Sequence, residues 1–398
     1  MKRVLAFVFA GVRDDGLSVL THSRSVAAVP IAGKYRLVDF TLSNCVNSEL
    51  YRVSILAQHS PHSLIRHVGR GEPWDLNRRD GGVQILQPYE RQEGRRWYQG
   101  TADALRQNLD VVENAGSEEV FVLSSDLIYK MDYTWMMQFH RDTGAAATLA
   151  VGRPSGWNPR AYGVVDVGED SRVESFTLEP EENDPRDAFL GIYIFRTDYL
   201  RDLLAGDDVN LFLDCLIPRL GIDPVHAYRF EGEWSRISNL DAYLAAHRRL
   251  LADPPTPDMH DPAWRIYTRS EERAPAAVDG ASDVSDSLIA NGSVIFGEVK
   301  RSVLSAGVYV APGAVVRDSV VLNDVSIGPG SVVENAILDK NSQVGARGRV
   351  GRAGDAIAAV GEWGVVPDDG VIEAGEAIPP REPSVEEWMQ VPGGGGQS

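Results

Sequence analysis

The chain has 398 residues, which at roughly 150 residues per domain leaves room for two or three domains. With 43% hydrophobic and 24% charged residues it has the make-up of a folded globular protein, not a disordered one. The net charge of −18 argues against a broad nucleic-acid surface, which needs clustered Lys and Arg, but leaves room for a small anion in a local basic pocket. The longest apolar runs fall far short of the ~20 residues a membrane helix needs, so no membrane association is expected. Two cysteines, Cys45 and Cys215, are too few for a disulfide framework and fit a reducing cytoplasm.

Met1-Lys2-Arg3 followed by Val4-Leu5-Ala6-Phe7-Val8-Phe9-Ala10 imitates a short secretory leader. The apolar run is brief and no small-residue cleavage site follows, so it reads better as a fully buried parallel strand. Further strands are expected at 53–57, 120–123, 147–151 and 190–195. A helix is expected over 101–113, with Leu105, Leu109 and Val112 on one face and Thr101 as its N-cap. Asn239 should cap a second helix over 240–251, where Leu240, Tyr243, Leu244 and His247 follow helical spacing. Strands alternating with helices predict an α/β domain over 1–251, with a mostly parallel sheet covered on both faces.

Residues 252–262 carry four prolines and little periodicity, so 252–278 reads as a linker. Beyond it the texture changes. Val308-Tyr309-Val310-Ala311-Pro312-Gly313-Ala314-Val315-Val316 is matched 17 positions later by Val325-Ser326-Ile327-Gly328-Pro329-Gly330-Ser331-Val332-Val333. Val320-Val321 matches Ile337-Leu338 at the same interval, and Val310, Ile327 and Val344 extend the series. Small or aliphatic residues recurring near every sixth position are the signature of a parallel β-helix of hexapeptide repeats, expected over 279–391. Residues 392–398 read as a flexible tail.

In an open α/β sheet, ligands bind beyond the carboxyl ends of the strands. Three segments fall there: Ala10 to Leu17, Ser124-Ser125-Asp126, and Trp97-Tyr98-Gln99-Gly100-Thr101-Ala102-Asp103. The last precedes a helix N-terminus, whose amides and dipole favour an anion or a polar base edge. Asp126 ends an apolar strand, a position from which a carboxylate holds Mg²⁺ on a nucleotide phosphate or simply caps a turn. His59, His62 and His67 have no cysteine or paired-carboxylate spacing beside them, which makes zinc a poor reading.

At this point the residues resemble the bacterial ADP-glucose pyrophosphorylase (glucose-1-phosphate adenylyltransferase) family over nearly the whole chain. The likeness rests on Val29-Pro30-Ile31-Ala32-Gly33-Lys34-Tyr35-Arg36-Leu37-Val38-Asp39-Phe40, on Leu42-Ser43-Asn44-Cys45-Val46-Asn47-Ser48, on Trp97 to Asp103, on Asp126-Leu127-Ile128-Tyr129-Lys130-Met131-Asp132-Tyr133 and on Gly191-Ile192-Tyr193-Ile194-Phe195. The resemblance implies a Rossmann-like nucleotidyltransferase domain followed by a left-handed parallel β-helix. It also implies a tetramer under metabolite control that makes ADP-glucose and pyrophosphate from ATP and glucose 1-phosphate for glycogen synthesis, with Mg²⁺ if the chain is active. By resemblance Gly11, Gln58, Tyr98, Gly100 and Thr101 would meet the nucleotide. Tyr162, Gly163 and Gly191 would meet glucose, and Arg24, Lys34 and Arg36 would form an effector site for a phosphorylated metabolite or AMP. Those three cations read equally well as solvated surface charge or intersubunit ion pairs.

The likeness breaks where the chemistry lies. Against the family's Gly-Gly-x-Gly-x-Arg-Leu loop this chain has Gly11-Val12-Arg13-Asp14-Asp15-Gly16-Leu17. Val12 and Asp14 replace glycines whose amides approach phosphate, and Gly16 replaces the catalytic arginine. Asp14 and Asp15 set negative charge beside a triphosphate, a repulsion of about 1–4 kcal/mol per close pair. Val26 and Glu179 stand where the family has lysines, Glu179 at the sugar-binding one that holds the sugar phosphate, and Arg236 stands where it has its second metal carboxylate, leaving Asp126 as the retained metal and catalytic acid. Loss of a single charge-stabilising group typically costs about 10²–10³ in rate. The pattern therefore suits a regulatory, non- or weakly catalytic subunit that assembles with a catalytic homologue. The competing readings are an active adenylyltransferase or related sugar nucleotidyltransferase, with Arg13 covering for the missing arginine, and a hexapeptide acyltransferase. The last finds no histidine after His260 to act as its base.

Overall fold

Val4-Leu5-Ala6-Phe7-Val8 has no polar face, so it belongs where both sides of a sheet are covered. In the computed structural model, which describes residues 3–11, 15–88, 90–91, 94–95, 97–153, 163–181, 184–384 and 387, it does lie there. The N-terminal half is built on nine strands: β1 (Val4–Phe9), β2 (Arg52–Leu56), β3 (Gly82–Leu86), β4 (Glu119–Ser124), β5 (Ala147–Gly152), β6 (Val164–Val167), β7 (Val173–Thr177), β8 (Ala188–Arg196) and β9 (Val225–Arg229). The order is β7-β6-β8-β4-β1-β2-β3, with β5 also on β8 and β9 on β5. β1 to β4 are mutually parallel. β8 is antiparallel to β4, β5 and β6, β7 is antiparallel to β6, and β9 is parallel to β5. The sheet is thus mostly parallel, with only β7 and β8 reversed. Successive side chains of a strand point to opposite faces. Accordingly Val4, Ala6 and Val8 enter one apolar core, and Leu5 and Phe7 enter the other.

The helix expected over 101–113 is two helices, Thr101–Gln107 and Leu109–Ala115. The break is at Asn108, whose side chain donates to the Ala104 carbonyl at 2.8 Å and to the Tyr98 hydroxyl at 3.0 Å. Such side-chain bonding competes with a continuous helix. Thr101 is not the N-cap either. Gly100 holds that position, and Thr101 Oγ1 accepts from the Leu211 amide at 2.9 Å. Asn239 does cap Leu240–Leu250, accepting from the Ala242 amide at 2.8 Å. Asn239→Ala should therefore cost about 1 kcal/mol, read as a lower urea midpoint with an unchanged slope.

Between the halves, the proline-rich segment is strapped down. Trp264 Nε1 donates to Asn44 Oδ1 at 2.8 Å, the Tyr267 amide donates to Ser43 Oγ at 2.8 Å, and Ile266 is buried. From Ala277 the chain winds into three six-stranded parallel sheets, a parallel β-helix of the left-handed hexapeptide type. The 17-residue repeat is its register: Val310 pairs with Ile327, Ile327 with Val344, Val320 with Ile337 and Val321 with Leu338. The following coil is longer, Val344 pairing with Val366, because residues 351–357 leave the stack. Inward Ile295, Val310, Ile327, Val344 and Val366 form a separate buried column. Val320, Leu322, Ile337 and Ala359 instead join the core of the first domain, so the β-helix is packed against it. Among the described residues no helix is long and apolar enough to cross a membrane, and both cysteines are buried free thiols.

Candidate nucleotide–sugar site

The carboxyl ends of β1, β2 and β4 lie side by side at one edge of the sheet. Beyond β1 the chain passes so close to its neighbour that a Cβ on Gly11 would lie 2.8 Å from the Gln58 amide nitrogen. Gln58 uses its side-chain amide as a strand would use its backbone. Its Oε1 accepts from the Tyr98 amide at 2.7 Å and its Nε2 donates to the Tyr98 carbonyl at 3.2 Å. Tyr98 is buried, and a Cβ on the extended Gly100 would lie 2.6 Å from the Val209 carbonyl. The Ala102 amide, expected to face a ligand from the helix N-terminus, donates to that carbonyl at 2.9 Å. Gln58, Tyr98, Gly100 and Thr101 thus form one braced shelf, held from behind by Val209 and Leu211, which pairwise reading of the sequence did not reveal.

The second wall is electrostatic. Asp126 follows β4, and Ser124 Oγ donates to its Oδ1 at 2.5 Å. The short strand Trp234–Arg236 pairs antiparallel with Leu127–Tyr129, and the Ile237 amide donates to the Asp126 carbonyl at 2.8 Å. This register brings Arg236 Nε to 3.4 Å from Asp126 Oδ2, while its Nη2 donates to the Phe189 carbonyl at 3.4 Å. Gly191, at φ +79°, lets the guanidinium in: a Cβ there would be 3.1 Å from Nη2 and 3.2 Å from Ser124 Cβ. Asp126, Arg236 and Gly191 are therefore one constellation.

The first domain matches the model of the nucleotidyl transferase family over residues 6–253. The second matches that of the GlmU-like C-terminal hexapeptide over residues 274–370. The chain is 43% identical over 364 residues to the glucose-1-phosphate adenylyltransferase of Thermomicrobium roseum, covering 89% of this chain and 85% of that one. It is 35% identical over 386 residues to that of Acetivibrio thermocellus, 92% and 91% of the two chains. It is 38% identical over 328 residues to that of Fervidobacterium nodosum, 81% and 79%. The chain belongs to the glucose-1-phosphate adenylyltransferase family.

Within that family frame the altered positions take up distinct places. Gly16 is exposed in the first turn of a short 3-10 helix, Asp15–Thr21, and the next residue, Leu17, is fully buried. Val26 is itself core, 6% exposed and packed with Ala27 and Ala28. Glu179 is exposed beside the buried Pro180. Gly163 abuts an aromatic wall, since a Cβ on it would overlap Phe176, whose ring stands edge-on to Phe212 at 4.6 Å. Tyr162, with Val12, Arg13 and Asp14, lies outside the described residues, as do residues 392–398. His67 has a structural partner, Asp39 Oδ1 at 2.5 Å.

Arg24, Lys34 and Arg36 do not form one open cationic patch. Arg24 is fully buried between the domains, its Nη1 2.8 Å from Asp339 Oδ1 and its Nη2 2.9 Å from Glu362 Oε2. Arg36 donates through Nη1 to the Ser63 hydroxyl at 2.7 Å, and burial together with the charge of Arg24 pushes its pKa down to about 10. Lys340 joins them from the β-helix. Burial, then the charges of Arg36 and Arg24, push its ammonium down to about 7. Lys34 alone of the three is exposed, its Nζ 5.1 Å over the Tyr35 ring. It lines a cavity of about 410 Å³ with Arg269, Glu271, Asn291 and Asn323. Asp339, Lys340 and Glu362 were not foreseen from sequence. The signal for Asp339 was present, however: the 17-residue repeat puts it where the preceding coil has the buried Leu322.

Proposed function

We propose that this chain is a non-catalytic or weakly catalytic regulatory subunit of glycogen synthesis, joining a catalytic homologue in a tetramer in the cytoplasm. One observation carries the reading: the guanidinium of Arg236 lies against Asp126, the retained acid at the strand end. Forming ADP-glucose from ATP and glucose 1-phosphate requires cations around the departing pyrophosphate and the sugar phosphate. This chain offers Gly16, Val26 and Glu179 at positions where its family uses an arginine and two lysines. The shelf of Gln58, Tyr98, Gly100 and Thr101 is left to receive a nucleotide base, and Tyr162, Gly163 and Gly191 to receive a sugar. Lys34, exposed above the interdomain cavity, is the cation best placed to meet a phosphorylated effector or AMP, with Arg24 and Arg36 committed behind it. The charge balance favours no nucleic-acid partner.

The second reading, an active adenylyltransferase or related sugar nucleotidyltransferase using Mg²⁺, draws on this chain's kinship with enzymes named for that activity. The two part in one assay. ADP-glucose synthesis by the pure chain should run at least about 10⁴-fold below that of a catalytic homologue, since the altered groups act as a unit. Mixing the two should change the homologue's response to sugar phosphates. Turnover by this chain alone at the homologue's rate would overturn the proposal.

A further inference from the structure

A divalent cation on a nucleotide is held by hard oxygens, one or two carboxylates plus phosphate oxygens, at about 2.0–2.1 Å for Mg²⁺. The residues at this strand end do not fit that ion. Among the described residues no group of three or more His, Cys, Asp or Glu is placed to hold a metal. Asp126, the acid beyond this strand, has one oxygen bonded by Ser124 and the other 3.4 Å from Arg236 Nε. A dication bound to that carboxylate would sit beside a permanent positive charge, and Arg is charged at every working pH. The arginine is also a built part of the wall and not a stray surface side chain. Strand pairing with Leu127–Tyr129 fixes its backbone, the Phe189 carbonyl accepts from its Nη2, and the absence of a side chain at Gly191 makes the room. The pair remains reachable, with 19% of the Arg236 side chain and 30% of the Asp126 side chain exposed.

We propose that Arg236 is this chain's resident cation, set against Asp126 in the place of a divalent metal, so that the pocket takes a phosphorylated ligand, nucleotide or sugar phosphate, without a metal ion. A planar guanidinium anchored by one carboxylate still presents a face that matches phosphate geometry, whereas a metal on that carboxylate would sit against the same positive charge. The inference deepens the non-catalytic reading and rests on it, because a fixed single charge can grip a phosphate yet cannot follow charge onto a leaving pyrophosphate as a metal-bridged triphosphate does.

The test is calorimetric binding of ATP and of glucose 1-phosphate to the full chain, in EDTA and in excess MgCl₂. The wild type should bind at least one of the two equally well in both conditions. Arg236→Gln, which keeps a polar amide but is shorter and uncharged, should weaken metal-free binding about tenfold or more, the scale of one lost charged hydrogen bond. Arg236→Asp should make binding depend on Mg²⁺ and create a Mn²⁺ site, visible as loss of the free-ion paramagnetic resonance signal, that Asp126→Asn removes. Unchanged far-ultraviolet dichroism certifies each variant as folded. Wild-type affinity that rises about tenfold with Mg²⁺, a wild-type Mn²⁺ site that needs Asp126, or no binding of either probe in EDTA would each overturn the proposal. Turnover tests the non-catalytic reading separately: a wild type that turns over at the homologue's rate would fault that reading at its source, whereas Mg²⁺-dependent binding without turnover would fault this inference alone.

Discussion

Arg24→Met is expected to cost about 3–5 kcal/mol of stability, because it leaves Asp339 as a buried, uncompensated carboxylate. Both members of the pair are essentially sealed from solvent, with side-chain exposures of 1% and 0%, so the modest worth of surface ion pairs does not apply. The paired state is not thereby the best available. Burial, and after it the charge of Glu362, raises the pKa of the Asp339 carboxyl, while the Arg24 guanidinium and the Lys340 amide oppose that rise. The double variant Arg24→Met/Asp339→Leu, which restores the leucine that the repeat has at residue 322, should recover most of the loss. Urea unfolding of the wild type, both single variants and the double variant closes the cycle. A single Arg24→Met change within about 1 kcal/mol of wild type would place the pair with ordinary surface bridges and contradict the buried geometry.

Acid should destabilise the fold well before the carboxylates titrate. His247 is buried and neutral, its Nδ1–H donating to the Tyr243 carbonyl at 2.8 Å and its Nε2 accepting from the Ala32 amide at 3.2 Å. Burial pushes its pKa down to about 4, and does the same to His140, whose Nδ1 lies 2.7 Å from Thr148 Oγ1. The unfolded chain takes up these protons near the usual histidine value of about 6.5, so it binds more protons than the native state below that pH. The sign is then fixed: stability falls as pH drops from about 6.5 to about 4, by up to about 3 kcal/mol per histidine. Lys340 acts in another window. Its folded value of about 7 lies below its unfolded one, so stability rises as pH climbs from about 7 towards 10.5. Urea midpoints across both ranges test this, and His247→Gln should flatten the acid limb by roughly half. An acid limb unaltered by that change would mean that His247 is not the group responsible.

What the sequence made legible, and what it hid, divide along one physical line. Local repetition was readable: apolar runs without a polar face, the cap at Asn239, and above all the 17-residue interval that became the pairing of Val310 with Ile327 and Val344. Features set by distant partners were not. Thr101 looks like a cap until Leu211, remote in the chain, donates to its hydroxyl. Leu105, Leu109 and Val112 keep helical spacing straight through the break that Asn108 makes by turning to Tyr98. The proline-rich segment looks like a free linker because an extended strap touches its support through single residues such as Trp264 and leaves no period to detect. At the site, the substitutions at 16, 26, 179 and 236 were visible one by one. That Arg236 would close onto Asp126 required the pairing of Trp234–Arg236 with Leu127–Tyr129. The presumed effector cations split because the β-helix returned Asp339 and Glu362 to Arg24, a contact spanning most of the chain.

The stacked coils also dictate how this protein can change its length. Each rung hands its register to the next, so the loss of one residue within a strand such as Val332–Glu334 would turn an inward valine outward and throw every later rung out of step. Growth is permitted only as whole rungs or at the corners, and the segment 351–357 shows the second route already taken, with the Asp355 carbonyl held by Asn335 Nδ2 at 2.7 Å while the strands on either side stay aligned. The rungs bearing Val320, Leu322 and Ile337 have less latitude, since they also grip the catalytic-type domain. Lineages of this architecture should therefore differ in the number of rungs and in the size of their corners, far from that grip, and hardly at all in the spacing within it.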